Sequence, residues 1–145
     1  MNSQESIGRL AAIIYRYSQV HMNNGLKKYN IGIGQIYFLK KLSKKDGINQ
    51  EHLAESLSFS KATSTRAIKK LESEGYVARK KDTTDKRAYN VFITVKGKKF
   101  INIFRNISSD WNDILLSGFT ENERELFINF LKKTIENASA NKEKQ

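Results

Sequence analysis

Residues 53–97 read LAESLSFSKATSTRAIKKLESEGYVARKKDTTDKRAYNVFITVKG, and their spacing predicts a helix, a short turn, a longer helix and then a hairpin with a basic tip. At 100° per residue, Ser64, Ala67, Ile68 and Leu71 fall on one face of the longer helix. Ala62, Arg66 and Lys69 fall opposite, with Thr65 and Lys70 beside them. One face packs and the other reaches out. That order of elements is the outline of a winged helix-turn-helix, an architecture that docks on duplex DNA.

Charge points to the same stretch. Residues 61–105 hold 13 Lys and Arg against 4 Asp and Glu, whereas residues 1–60 hold 8 against 4 and residues 106–145 hold 5 against 7. The net charge of +11 is therefore concentrated on one helix and one hairpin. A polyanion of defined shape explains such clustering better than a generally basic surface does.

On the N-terminal side, Ile7, Leu10, Ala11, Ile14 and Tyr17 recur at three and four, which predicts an amphipathic helix from Ile7 to Val20 running on toward Leu26. Asn30 to Gly34, with two glycines, reads as a break. Ile36, Leu39 and Leu42 mark a second helix, closed by Lys44, Lys45, Asp46 and a left-handed Gly47. Asn49 can cap a short third helix through Leu57. Ser60 can cap the fourth through Glu74, where Gly75 ends it.

After Gly75 the period becomes two. Tyr76–Arg79 and Tyr89–Val95 should form the arms of the hairpin around a polar tip, Asp82–Arg87, with Tyr89, Val91, Ile93 and Val95 on one face. Phe100, Ile103, Phe104, Ile107, Trp111 and Ile114 or Leu115 then trace a long helix. Thr120 with Glu123 forms a capping box opening another, carried by Leu126, Phe127, Phe130, Leu131 and Ile135. Residues Ala138 to Gln145 are polar and are expected to fray.

Composition narrows the chemistry. The 145 residues suit one domain, and the absence of cysteine removes disulfides, thiolate metal sites and thiol redox switches together. No cofactor, metal or catalytic residue is implied. His21 and His52 lack a metal-ligand spacing, no glycine-rich phosphate loop follows a strand, and no nucleophile has an evident base. The start of the chain has no basic region leading into an apolar run, and nothing approaches a membrane span, so a cytoplasmic protein is expected.

The chain resembles the MarR (multiple antibiotic resistance regulator) family of winged-helix transcription factors over nearly its whole length. Three features carry the resemblance. The first is Leu53-Ala54 and Leu57 leading through Ser60, Thr63, Thr65 and Arg66 to Leu71-Glu72 and Gly75-Tyr76-Val77. The second, and most specific, is Asp82-Thr83-Thr84-Asp85-Lys86-Arg87 followed by Val91, Ile93-Thr94 and Gly97. The third is the pair of terminal helical segments, which in that family form the dimer interface. Gly32 and Gly34 stand where the family often caps the second helix with Thr or Ser, and Ser64 stands where an apolar residue is commoner.

The expected protein is mainly α with a small β-hairpin wing, a single domain over 1–145. Within it, residues 33–97 would bind DNA, while two helical segments, 1–29 and 98–137, would serve dimerisation. One winged core cannot cover both the Ile7–Val20 face and the Leu126–Ile135 face, so a homodimer on a pseudo-palindromic operator is expected. Lys61, Ala62, Thr63, Thr65 and Arg66 are placed to reach base edges, with Arg66 best able to grip guanine bidentately or, alternatively, to hold phosphate. Lys69 and Lys70 suit phosphates. The resemblance sends Arg87 into the minor groove, with Asp85 either orienting a cation there or serving as a plain turn former. Ser60 at the cap and Lys81 and Lys86 on the wing complete the expected DNA-binding set. The family further implies release by a small aromatic effector, for which Tyr15, Tyr17, Tyr37, Phe38, Phe100 and Phe104 could line a crevice or could simply be core. Two rivals stay open: a winged-helix module that binds protein or RNA through its basic face, and a small basic enzyme.

Overall fold

The structure, a computed structural model, describes residues 6–142. Its helices are α1 (Ile7–Leu26), α2 (Ile33–Lys44), α3 (Gln50–Ser56), α4 (Lys61–Ser73), α5 (Val95–Leu115) and α6 (Glu121–Lys142). Its strands are β1 (Ile48–Asn49), β2 (Val77–Lys81) and β3 (Tyr89–Ile93). The chain divides into two compact units, Met1–Ser109 and Asp110–Gln145.

Caps set most helix boundaries. Ser6, Asn49 and Ser60 each accept a main-chain N–H of the first turn that follows, which satisfies donors the helix itself cannot. Gly75, at φ 77°, closes α4 in the left-handed region. The break after α1 is shorter than its two glycines suggest. A 3-10 turn, Lys27–Tyr29, leads to a left-handed Asn30, and Gly32 is already the cap of α2, so Gly34 lies inside the helix. Glycine has no side chain to offer there. The Gln35 side chain instead reaches back to accept the Gly32 N–H, which supplies one half of a capping box.

In the first unit the sheet order is β1-β3-β2, antiparallel throughout, with Val77 opposite Ile93 and Lys81 opposite Tyr89. β1 has no periodic signal of its own. Ile48 pairs with Val91 and Asn49 with Asn90. Asp46 assists by accepting the main-chain N–H of Ile93 at 2.8 Å. The core beneath gathers Leu26, Ile36, Phe38, Leu39 and Leu42 with Leu53, Ile68, Leu71, Val91 and Phe100.

Val95 departs from the expected strand pattern. It opens α5 and is 70% exposed. Thr94 ends the strand because it serves as a cap, its Oγ1 accepting from Gly97 N and its carbonyl accepting from Lys98 N. Gly97 is required for packing at this corner. A Cβ added there would strike the Tyr76 carbonyl oxygen and approach Ile93 Cγ1 to 2.7 Å. Gly97→Ala is therefore expected to destabilise by about 2–3 kcal/mol, the helix propensity of alanine offsetting part of the overpacking. In a chain of this size that is a melting temperature lower by roughly 4–12 °C, and an unchanged calorimetric midpoint would contradict it.

In the second unit Thr120 and Glu123 bond reciprocally as a capping box, and Arg124 pairs with Asp113 at 3.2 Å. Phe119 meets Phe127 edge to face. Residues 138–142 continue α6 instead of fraying, while 143–145 lie outside the described residues.

Candidate nucleic-acid interface

Helix α4 presents the two faces that its period dictates. Ser64, Ala67, Ile68 and Leu71 are buried. Lys61, Ala62, Arg66 and Lys69 are exposed, and Thr63, Thr65 and Lys70 are half-buried at the border. Ser60 fixes the start of the helix twice: its Oγ accepts Thr63 N at 3.1 Å and donates to Thr63 Oγ1 at 2.9 Å. Arg66 lies one turn along, its guanidinium 3.4 Å from Thr63 Oγ1. Such a weak internal bond leaves the planar fork available.

The cations differ in how free they are. Lys61 meets Glu51 at 3.3 Å with both side chains mostly exposed, a pair worth little and readily exchanged for phosphate. Lys70 is held more firmly. Its Nζ lies 3.2 Å from Glu74 Oε1, and the same oxygen accepts the Asn30 amide at 2.6 Å. Lys69, Lys81, Lys86 and Arg87 are exposed, and none of the ion pairs found among the described residues involves them.

The wing tip is organised by a residue that the sequence pattern did not mark as a functional support. Asp82 Oδ1 accepts from Thr84 N at 2.8 Å, Thr84 Oγ1 at 2.7 Å and Asp85 N at 3.1 Å, and Oδ2 accepts the Asn90 amide at 2.9 Å. These bonds favour the charged carboxylate, those from Thr84 most strongly, and hold its pKa well below the usual carboxylate range. Asp85 Oδ1 accepts the main-chain N–H of Arg87 at 3.0 Å, so in the free protein it bonds as a turn former. The Arg87 side chain stays exposed at the tip. Two further supports sit behind it. Arg79 bonds Glu72 at 2.9 Å and lies 5.0 Å from the Tyr89 ring, which ties β2 to α4.

Because the pKa of folded Asp82 is depressed, its contribution is complete above the unfolded value near 3.9 and is lost only as pH falls through the lower folded value. The order of the wing tip should therefore be constant from about pH 5 to 8. Asp82→Ala should speed hydrogen exchange of the Thr84 and Asp85 amides about tenfold at pH 7, with Asp82→Asn intermediate. Equal exchange rates in all three proteins would show that Asp82 does not hold the tip.

Between α3, α4 and the wing lies a cleft of about 370 Å³, bordered by Gln50, Lys61, Ser64, Thr65, Arg87 and Tyr89. Ser64, polar where the family is commonly apolar, is 1% exposed and lies against this cleft. Its hydroxyl has no hydrogen-bond partner within the described residues. The cleft brings the start of the exposed α4 face beside the wing residue Arg87. The six aromatic residues expected around an effector separate instead: Phe38, Phe100 and Phe104 are core, while Tyr15, Tyr17 and Tyr37 are exposed. Tyr37 and Phe104 border one cavity together.

Comparison with known proteins agrees with this geometry. The MarR family model matches residues 32–89. The chain is similar to the HTH-type transcriptional regulator YybA of Bacillus subtilis (strain 168), with 32% identity covering 90% of this chain and 85% of that protein. It is also similar to the HTH-type transcriptional regulator BilQ of Clostridium symbiosum (strain WAL-14163), with 30% identity covering 74% and 75%. Among solved structures, a MarR transcriptional regulator from Methanosarcina mazei Go1 superposes with a TM-score of 0.77 at 42% identity, covering 92% of this chain and 96% of that one.

Proposed function

We propose how this chain, a DNA-binding transcriptional regulator that belongs to the MarR family, engages its operator. A homodimer sets one α4 into each of two major-groove half-sites about one helical turn apart, and each wing carries its Arg87 into the flanking minor groove. Arg66 reads a base edge, with Lys61, Ala62, Thr63 and Thr65 around it. Ser60, Lys69, Lys70, Lys81 and Lys86 hold phosphates or the ends of the contact surface, and Asp85 shapes the tip that presents Arg87. Lys70 must first leave Glu74. Residues 33–97 form the DNA-binding region, and residues 1–29 with 98–137 form the dimerisation region.

One observation carries this assignment above the others: exposed Arg66 and Lys69 share the outward face of a capped helix, beside a wing whose tip is hydrogen-bonded before any DNA arrives. Bound at a promoter, such a dimer represses by occluding polymerase, and a small ligand that changes the spacing of the wings releases it. No helix among the described residues is long and apolar enough to cross a membrane, and a regulator of this kind works in the cytoplasm where the DNA is.

The test is gel retardation with a pseudo-palindromic duplex selected by the purified protein from its own genome. The intact palindrome should bind with nanomolar to tens of nanomolar affinity and a scrambled duplex at least about 10³-fold more weakly. Equal retardation of both would sink the operator assignment.

A further inference from the structure

Glu74 stands where its own helix gives it little support. It is the C-cap of α4, at the end where the helix dipole already carries partial negative charge. Its cation, Lys70, precedes it by four residues, the weaker of the two orders for such a pair. Yet its Oε1 accepts two donors at once, Lys70 Nζ at 3.2 Å and Asn30 Nδ2 at 2.6 Å. Lys96 donates to the main-chain carbonyl of the same residue. Glu74 is thus held by groups from outside α4, at its side chain and at its main chain.

Asn30 makes a firm anchor. It sits at φ 57°, in the left-handed region that asparagine tolerates, and its main-chain N–H donates to the Lys27 carbonyl at 3.2 Å. The turn between α1 and α2 therefore presses an amide against the end of α4 from 44 residues away. A carboxylate held on that side cannot travel with the lysine. When Lys70 swings out to a phosphate, the pair breaks instead of moving as a unit. Its two side chains are 40% and 25% exposed, against 84% and 68% for Lys61 and Glu51, so it is the less screened of the two. A contact made in the free protein and lost in the complex lowers affinity by its own strength. We propose that Glu74 is an intramolecular competitor of DNA phosphate that withholds Lys70 until an operator displaces it, and that Asn30 is the positioning residue that holds the carboxylate for this competition. The proposal rests on the reading that Lys70 meets phosphate. It goes beyond that reading by letting the α1–α2 turn, outside residues 33–97, set part of the affinity for DNA. Coupling is reciprocal, so a bound operator leaves Glu74 Oε1 with Asn30 alone.

The experiment measures operator affinity of the full chain and of Glu74→Gln, Lys70→Ala, the double variant and Asn30→Gly, with melting temperatures alongside. Glu74→Gln should tighten binding about 5- to 30-fold in a dimer, since one pair near the upper end of the surface range is removed per protomer. On a Lys70→Ala background the same change should give at most about twofold. Asn30→Gly keeps the left-handed turn and should tighten binding at least about twofold, less than Glu74→Gln does. The ¹⁵N shift of the Asn30 side-chain amide should move when Lys70→Ala is made in the free protein, and in the wild type when operator is added. If Glu74→Gln or Asn30→Gly unfolds the chain, that shift decides alone. Glu74→Gln at parental affinity, equal tightening with and without Lys70, a folded Asn30→Gly that binds no more tightly than the parent, or an amide that stays still would each overturn the proposal. Lys70→Ala by itself tells the two readings apart. Weaker binding with a salt slope shallower by about 2 in a dimer supports the phosphate contact, so that a failed Glu74→Gln then counts against the competition alone. Unchanged affinity and slope in Lys70→Ala would overturn both.

Discussion

A chain ended before Glu121 should sediment as a monomer and lose 10²- to 10⁴-fold in affinity for a full palindrome, because the second half-site then no longer binds at a high effective concentration. The expectation rests on apolar surface that one copy leaves uncovered. On α1, Ile7, Leu10, Tyr17 and Val20 are each at least 50% exposed. On α6, Phe130 and Ile135 are 64% and 67% exposed, with Leu126 and Leu131 also open. Full burial of such a side chain is worth at most about 1.5–3 kcal/mol, so exposed apolar side chains recurring along each of the two helices are costly to leave in water. Leu126→Asp with Phe130→Asp keeps the chain length and should have the same two effects. Sedimentation velocity and retardation on the same preparations decide the matter. A monomeric variant that binds the whole palindrome as tightly as the parent would sink the dimer.

Arg66→Ala should cost about 1–3 kcal/mol at each half-site, or roughly 2–6 kcal/mol for a dimer, which is about 30-fold to more than 10⁴-fold in affinity. Discrimination should flatten at one symmetric base position in each half-site. Lys69→Ala is expected to behave differently. Losing one phosphate contact per protomer weakens every sequence about equally and makes the salt slope shallower by about 2 in a dimer. Arg87→Ala should matter most where A·T pairs narrow the minor groove at the flanks, and little where those flanks are G·C-rich. Affinities for specific, flank-substituted and random duplexes at several salt concentrations separate the three. If all three variants lose equally on every duplex, the surface is a polyanion patch and reads no sequence.

Much of this molecule is written locally. Ser60, Asn49, Thr120 with Glu123, and Gly75 mark helix ends within four residues of the bonds they make, and a 3.6-residue period sorts Ile68 and Leu71 from Arg66 and Lys69 without knowledge of any neighbour. The outward set on α4 and the basic wing were legible for that reason. Local pattern fails where a partner lies far along the chain. Ile48 and Asn49 become a strand only because β3 comes to lie beside them, more than 40 residues on. Val95 continues the alternation of β3 in sequence, yet Thr94 turns the chain into α5 before Val95 can join the sheet.

The candidate site divides in the same way. That Lys69, Lys70, Lys81 and Arg87 are cationic is plain from the sequence, but which of them is free was settled by packing. Lys70 is taken up by Glu74, which Asn30 also holds from 44 residues away, and Arg79 by Glu72 across the junction of α4 and β2. The aromatics behave alike: helical spacing cannot say whether Phe104 belongs to a core or to a crevice, since either use gives it the same period. Caps and periodicity depend on bonds made within a turn, so the order of residues alone sets most helix ends and the face that α4 turns outward. Charge pairing and cavities depend on atoms brought together across tens of residues, so it took the folded chain to select which cations reach outward and which are held back.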